Sequence, residues 1–389
     1  MKKKIFALAL VMSMIIMMVP AVSVSAAEET ITLTIDGVKQ SPPVAPVFQN
    51  GTAYVSIKFV GETLGANYSW SQSKKQATIK TTANTLVFTV DSKTYALNGV
   101  NKTLSQPVKS IGGSTMVPLA AFEAMGAKIS YNSSTRTASI NYFSTMAGTI
   151  KVSGSTTVQP IAQAAADKLM KMNKDLSITV SGGGSGTGIN DAVAGTVNIG
   201  MSSREFRETE MKTLNTYAVA NDAIAIIVHP DNPVTNLTKE QAQKIFMGEI
   251  KNWRDVGGNN APILVQTRET GSGTLTTLID LLLGSGNSVV ETATPFTSST
   301  LIKQAVAKDK NAIGFDSIGF VDKTVKAVSL DGKNATPKTV INKTYGMGRS
   351  LYVCTKGKAA GVNAMFIDYL KSADCQNSIV EKEGYVKLS

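Results

Sequence analysis

One pattern recurs along this chain and limits its fold more than any other: a short apolar strand, a turn of glycines and hydroxyls, then a helix start. Thr149-Ile150-Lys151-Val152-Ser153 reads as a strand and Gly154-Ser155-Thr156-Thr157 as the turn. Residues 158–172 then read as a helix, with Pro160 in the first turn, where its missing N–H does no harm. Leu176-Ser177-Ile178-Thr179-Val180 leads into Ser181-Gly182-Gly183-Gly184-Ser185-Gly186-Thr187-Gly188 and a helix from Ile189. Asn198-Ile199-Gly200-Met201 leads into Ser202-Ser203-Arg204 and an acidic helical stretch from Glu205. Ile263-Leu264-Val265-Gln266-Thr267 leads into Arg268-Glu269-Thr270-Gly271-Ser272-Gly273-Thr274 and an apolar helix over 275–283. Strands alternating with helices through short loops predict an α/β region. Helix starts offer unpaired N–H groups and a partial positive charge, and glycines let successive amides converge on an anion. A single start of this kind says little, but four in one region predict a small anion held by amides and hydroxyls.

The same loops fail the tests for nucleotide binding. The 181–188 loop lacks the Lys-Ser/Thr that follows a Walker A loop, and its glycines do not fit G-x-G-x-x-G. The 389 residues include one histidine, His229, and two cysteines, Cys354 and Cys375, too few for a metal site built on several such ligands. No activated nucleophile assembles convincingly around His229, which lies in Val228-His229-Pro230 and reads as structural. The expectation is therefore a binding protein with no catalytic residue, no metal and no cofactor. In an exported chain Cys354 and Cys375 are permitted a disulfide, and two free thiols are the alternative.

Charge is a weaker guide. The formal net charge is +11, but Lys2, Lys3 and Lys4 belong to an N-terminal signal. They precede an apolar core over 5–19, then Pro20 and Val22-Ser23-Val24-Ser25-Ala26-Ala27, the small residues a signal peptidase needs. Residues 1–26 read as a signal peptide, so the mature protein is expected outside the cytoplasm, secreted or envelope-associated. No cysteine near the cleavage point supplies a lipid anchor. The remaining charge is spread evenly, with 10 basic and 6 acidic residues over 27–147 and 26 and 22 over 148–389. With 6% aromatic residues and no dense basic stripe, nucleic acid is excluded as a partner.

Residues 30–142 contain an internal repeat. Val55-Ser56-Ile57 and Val117-Pro118-Leu119 are offset by 62, and Gly65-Ala66 and Gly126-Ala127 by 61. Each copy predicts a strand, a short helix (59–64 and 120–125), a glycine turn and a hairpin. A further hairpin over 85–90 and 93–97 separates the copies. The pattern resembles the copper amine oxidase-like N-terminal domain carried by secreted bacterial proteins. The resemblance implies a stalk or attachment module over 27–147 that contacts a cell-wall or envelope component. It has no His or Cys, so no copper chemistry is expected.

Residues 148–389 resemble the phosphate-binding component of bacterial phosphate ABC importers, a branch of the periplasmic solute-binding proteins. The resemblance rests on the loops quoted above and on Gln243-Lys244-Ile245-Phe246, Asn252-Trp253, Asn311-Ala312-Ile313-Gly314-Phe315 and the end 380–386. It implies an α/β, two-lobed periplasmic-binding-protein type II fold behind the small duplicated α+β, β-rich domain. Lobe I is expected at about 148–228 and 346–389, and lobe II at about 229–345. The implied function is capture of inorganic phosphate and delivery to the membrane permease of an ABC importer. The alternative is an adhesion, phosphate-sensing or envelope-structural protein that reuses the fold. The implied ligand-binding residues are Ser155, Thr156, Thr157, Ser185, Ser203, Arg204, Arg268, Ser272, Gly273 and Thr274. Ser203 departs from family members that place an aspartate there to accept the proton of hydrogen phosphate. Trp253, Phe246, Phe366, Tyr369 and Leu370 read as packing.

Overall fold

The computed structural model describes residues 29–388, so the signal-peptide expectation lies outside the described residues. The duplication is visible as a pseudo-twofold strand pair. Thr52–Ser56 and Ser114–Pro118 run antiparallel, with Val55 opposite Val117, its equivalent in the second copy. Each strand leads into a helical turn and then a hairpin, Asn67–Ser71 with Gln76–Lys80 and Lys128–Asn132 with Thr137–Asn141. The inward positions Ala77, Ile79, Ala138 and Ile140 are fully buried.

The copies differ where their caps differ. Ser56 accepts the Phe59 N–H and starts an α-helix over Ile57–Thr63. Pro118 has no such side chain, and the short helix expected at 120–125 forms as a 3-10 helix over Leu119–Met125. Both turns close with a glycine at positive φ, Gly65 at 79° and Gly126 at 92°.

The rest of the chain is an α/β body on a ten-stranded sheet. Gly148–Gly154 pairs in parallel with Leu176–Gly183 and Ile199–Ser202. On the far side Leu264–Arg268 pairs in parallel with Ala312–Ser317 and Thr294–Phe296. Two long strands, Leu214–Val228 and Gly348–Lys356, run antiparallel through the middle and carry the chain between two separate apolar cores. Val219 and Ala220 belong to the first core and Ala223 onward to the second. The passage therefore falls at 221–222, not at the expected 228/229. The run Ala223–Val228 is apolar because it is already the centre of lobe II, where it pairs with Ala312–Ser317 and Lys326–Leu330. Trp253 and Phe246 lie in that core; Phe366, Tyr369 and Leu370 lie in the other.

The duplicated domain shares its core with lobe I. Tyr142, Phe143 and Met146 at the junction are buried, and the Phe143 ring meets Tyr369 edge-on at 5.1 Å. Thr82 donates its N–H and its hydroxyl to Asp368 Oδ1 at 2.7 and 2.6 Å, and Tyr142 donates to Oδ2 at 3.3 Å. Burial pushes the Asp368 carboxyl up to about 6, while the bonds from Thr82, the charge of Lys371 and the bond from Tyr142 hold it back. Gly65 approaches so closely that a Cβ there would lie 2.0 Å from the Asp368 carbonyl oxygen. Cys354 and Cys375 are both free and buried, in different clusters, so the permitted disulfide is not formed. Among the described residues no helix is long and apolar enough to cross a membrane.

Candidate functional site

The two lobes meet where the glycine and hydroxyl loops end. From lobe I come the turn before the helix Gln159–Met172, the start of Ser185–Ala194, and the end of Ile199–Ser202. From lobe II come the end of Leu264–Arg268, the start of Gly273–Leu278 and the start of Ser299–Lys308. Three of these four helices begin on loops the sequence singled out. The fourth, at Ser299, follows the run Phe296-Thr297-Ser298, whose hydroxyls carried the same signal unused.

Arg268 is the centre of the contact. It is 3% exposed. Its guanidinium donates to Thr156 Oγ1, Ser299 Oγ and the carbonyls of Thr297 and Phe296, each at 3.1 Å. All four acceptors are neutral, and no carboxylate of the described residues forms a salt bridge with it. Burial pulls its pKa down, opposed by Asp316 and reinforced by the like charge of Arg349. A guanidinium out of water without a counter-charge is costly, which makes the position suited to an anion.

The hydroxyls around it are oriented by what they accept. Thr156 Oγ1 takes the Arg268 bond and also the Ser299 N–H at 3.3 Å, so its own proton is left to donate. Thr157 Oγ1 lies 3.1 Å from Thr274 Oγ1 across the lobes. Ser185 Oγ accepts the Ser203 N–H at 3.0 Å and lies 3.3 Å from Ser203 Oγ. Gly273 packs on this pair: an added Cβ would fall 2.2 Å from Ser185 Oγ and 2.8 Å from Ser203 Oγ. Ser155 and Ser272 act as local caps, accepting from Thr157 N and Leu275 N. Seven of the ten sequence-derived residues thus touch across the lobes, and Ser155 and Ser272 cap the helix starts beside them.

Arg204 does not join them. Its guanidinium lies in a two-armed pair with Glu210, at 2.9 and 2.8 Å. Glu210 also accepts the Arg207 N–H, and its burial is outweighed by these bonds, which hold its carboxyl below the ordinary range. The helix expected from Glu205 starts only at Glu208, where the Glu210 carboxylate accepts the N–H of the capping residue Arg207. His229 accepts the Asp231 N–H at 3.0 Å. It sits seven residues past Asp222 on the same strand direction, roughly 20 Å at strand rise.

Sequence reasoning missed a second layer. Arg349 and Asp222, 4% and 0% exposed, pair across the two crossing strands. Asp222 Oδ1 accepts the Ser317 hydroxyl at 2.7 Å. Asp316, beside it, is fully buried; its Oδ1 accepts the Ser317 N–H, and its Oδ2 has no aligned hydrogen-bond partner among the described residues. Burial pushes the Asp316 carboxyl up to about 6, against Ser299, the Ser317 amide and the charges of Arg268 and Arg349. A lone acid inside the apolar run 218–228 was the available signal for Asp222.

Two α/β lobes hinged on a pair of crossing strands, with a buried guanidinium and convergent hydroxyls at their contact, define a cleft-type solute receptor. A family profile described as PBP superfamily domain matches residues 141–374, and one described as copper amine oxidase N-terminal domain matches residues 34–140. The phosphate-binding protein PstS of Bacillus subtilis is 37% identical over 246 residues, which cover 62% of this chain and 81% of that protein. A Clostridium perfringens protein crystallised with bound phosphate, described as a phosphate ABC transporter substrate-binding protein, is 36% identical with a TM-score of 0.60. The match covers 62% of this chain and all of that one. An ABC-type phosphate transport receptor from Vibrio cholerae is 36% identical with a TM-score of 0.53, covering 61% of this chain and all of that one. The chain belongs to the PstS family of phosphate-binding proteins within the PBP superfamily, preceded by a copper amine oxidase N-terminal domain.

Proposed function

We propose that this protein is an extracytoplasmic receptor that closes its two lobes on inorganic phosphate and hands it to the permease of an ABC importer, without turnover. The observation that carries this reading is Arg268: a buried cation whose partners are all neutral, placed where the lobes meet. The relatives named above, one of them with phosphate bound, support phosphate as the anion. We assign Ser155, Thr156, Thr157, Ser185, Ser203, Arg268, Ser272, Gly273 and Thr274 to the site, as direct donors or as caps that hold the donors. Thr156, with its lone pairs already engaged, is the clearest hydroxyl donor. Isothermal titration of the mature protein with phosphate and sulfate tests the reading. A saturating 1:1 heat with phosphate and none with sulfate is expected; no heat with phosphate beside a clear heat with another oxyanion would sink it.

The docked N-terminal domain favours a second role alongside the first. Its junction with lobe I is built on buried hydrogen bonds to Asp368, so it is carried by one lobe as a rigid base. An attachment to an envelope component through this domain would leave lobe II free to move. Cell fractionation checks it: deleting residues 29–141 should release the protein from the envelope, and unchanged retention would refute the role.

A further inference from the structure

Arg349 stands on the strand Gly348–Lys356 directly opposite Asp222 on Leu214–Val228, at the point where both strands leave one core for the other. Its Nε donates to Asp222 Oδ2 at 2.9 Å, and Nη2 lies 2.8 Å from the same oxygen as an ion-pair contact. Its remaining arm does something a hinge ion pair does not require. Nη1 donates to the Ser203 carbonyl at 3.1 Å and to Thr274 Oγ1 at 3.0 Å. Ser203 belongs to lobe I and Thr274 to lobe II. One guanidinium nitrogen therefore donates to an acceptor from each lobe, an arrangement that exists only while the lobes are together.

The bond to Thr274 has a second effect. A threonine hydroxyl carries one proton and two acceptor sites. With Arg349 occupying an acceptor site, the Thr274 proton points away from the guanidinium, toward the lobe contact, where Thr157 Oγ1 lies 3.1 Å away and either hydroxyl can donate. Its proton is thereby kept available on the side where an anion would sit. Asp222 compensates the charge of Arg349, so the residue contributes geometry and not net charge. A cavity of about 650 Å³ is lined in part by Arg349 itself, with Asn221, Tyr345, Gly348 and Ser350.

We infer that Arg349 is a positioning residue that latches the lobes at the hinge and fixes Thr274 as a hydrogen-bond donor to the ligand. This rests on the phosphate-receptor reading above. In the latched state the ligand, Thr274 and the hinge strands are joined through one guanidinium, so losing that joint acts on release of phosphate. Ser203, whose carbonyl the latch holds, is kept in place by its backbone, which makes its side-chain identity less decisive for closure.

The test uses the mature full-length protein and two variants. Arg349→Lys keeps a cation on Asp222 and lacks the forked arm to Ser203 and Thr274. The double variant Asp222→Asn/Arg349→Gln removes the buried charge pair without leaving either charge alone. Phosphate affinity is measured by titration, dissociation by stopped flow, lobe closure by small-angle scattering, and folding by the melting midpoint without phosphate. For R349K we expect about tenfold faster phosphate dissociation, an association rate within about twofold, reduced compaction on binding, and a midpoint close to wild type. A lowered midpoint with unchanged dissociation and compaction would mark Arg349 as merely structural and overturn the inference, as would wild-type dissociation in both variants. Should the wild-type protein itself bind no phosphate, the receptor reading fails first and takes the latch with it, an outcome the wild-type titration separates from all the others.

Discussion

Replacing Arg268 by alanine removes a buried positive charge and four donated hydrogen bonds from the point where the lobes touch. Two of its acceptors keep other roles: Thr156 Oγ1 still receives the Ser299 N–H, and Ser299 lies at a helix start. The fold therefore loses little. The ligand loses much more. Hydrogen bonds to charged groups contribute roughly 1.5–3 kcal/mol each, and a planar guanidinium can place two on one oxyanion. Truncating one partner of a buried charge pair costs about 2–5 kcal/mol. Some of the gain is already spent, because binding must exchange existing neutral contacts of Arg268 for contacts to the anion. A net loss of about 3–5 kcal/mol is expected, or roughly 100- to 4,000-fold in Kd at 1.4 kcal/mol per decade. Arg268→Lys keeps the charge without the fork and should fall between the two. Titration calorimetry with phosphate, on protein whose circular dichroism is unchanged, gives the answer. A Kd for R268A within a few-fold of wild type would refute the assignment of Arg268 as the anion's counter-charge.

Three other predictions concern the framework. The Asp368 carboxyl is raised to about 6 when folded, so the folded state holds its proton longer than the unfolded chain, and this group's contribution to stability falls as pH rises from about 4 to 6. Asp368→Asn should accordingly gain on wild type over that window, by on the order of 3 kcal/mol at pH 7, and parallel pH profiles of the two melting midpoints would contradict this. Gly65→Ala and Gly126→Ala should differ although they are equivalent in the repeat. Both adopt positive φ, a strain of roughly 1–2 kcal/mol for alanine, but only at Gly65 does the new Cβ collide with the Asp368 carbonyl. Thermal denaturation should show the larger loss for G65A, and equal losses would mean the domain does not dock as described. Burial pushes the Cys354 thiol up to about 12 and raises Cys375 as well, so neither should react with a thiol reagent in the folded protein. Two equivalents should react in denaturant without reductant; none reacting there would reveal a disulfide.

The hydroxyl and glycine loops at the lobe contact were legible because their signal is local. A helix start is decided within a few residues by caps, proline and glycine, and Ser155, Gly184 and Ser272 show it whatever the rest of the chain does. The repeat was legible for the same reason: strand, turn and hairpin are short-range, and its two copies announce each other. The copies diverge where the local signal differs: Pro118 cannot cap the second helix as Ser56 caps the first, and that helix is 3-10.

Other features depended on distant partners. Arg204 and Arg349 are both arginines beside a serine, and nothing nearby tells them apart. The first folds onto Glu210, six residues on, while the second meets Asp222 only because two strands 127 positions apart run side by side. The passage between lobes was misplaced because an apolar run looks the same in either core. Asp368 and Thr82 lie 286 positions apart, and only their contact makes the N-terminal domain part of lobe I. The sequence by itself determined the α/β class, the duplicated β-rich module and the loops that present hydroxyls and amides, because each is set by neighbours along the chain. Which charge stays unpaired at the lobe contact, which arginine spans the hinge and which lobe carries the N-terminal domain were decided by the tertiary structure, because burial and long-range strand pairing choose the partners of a buried charge.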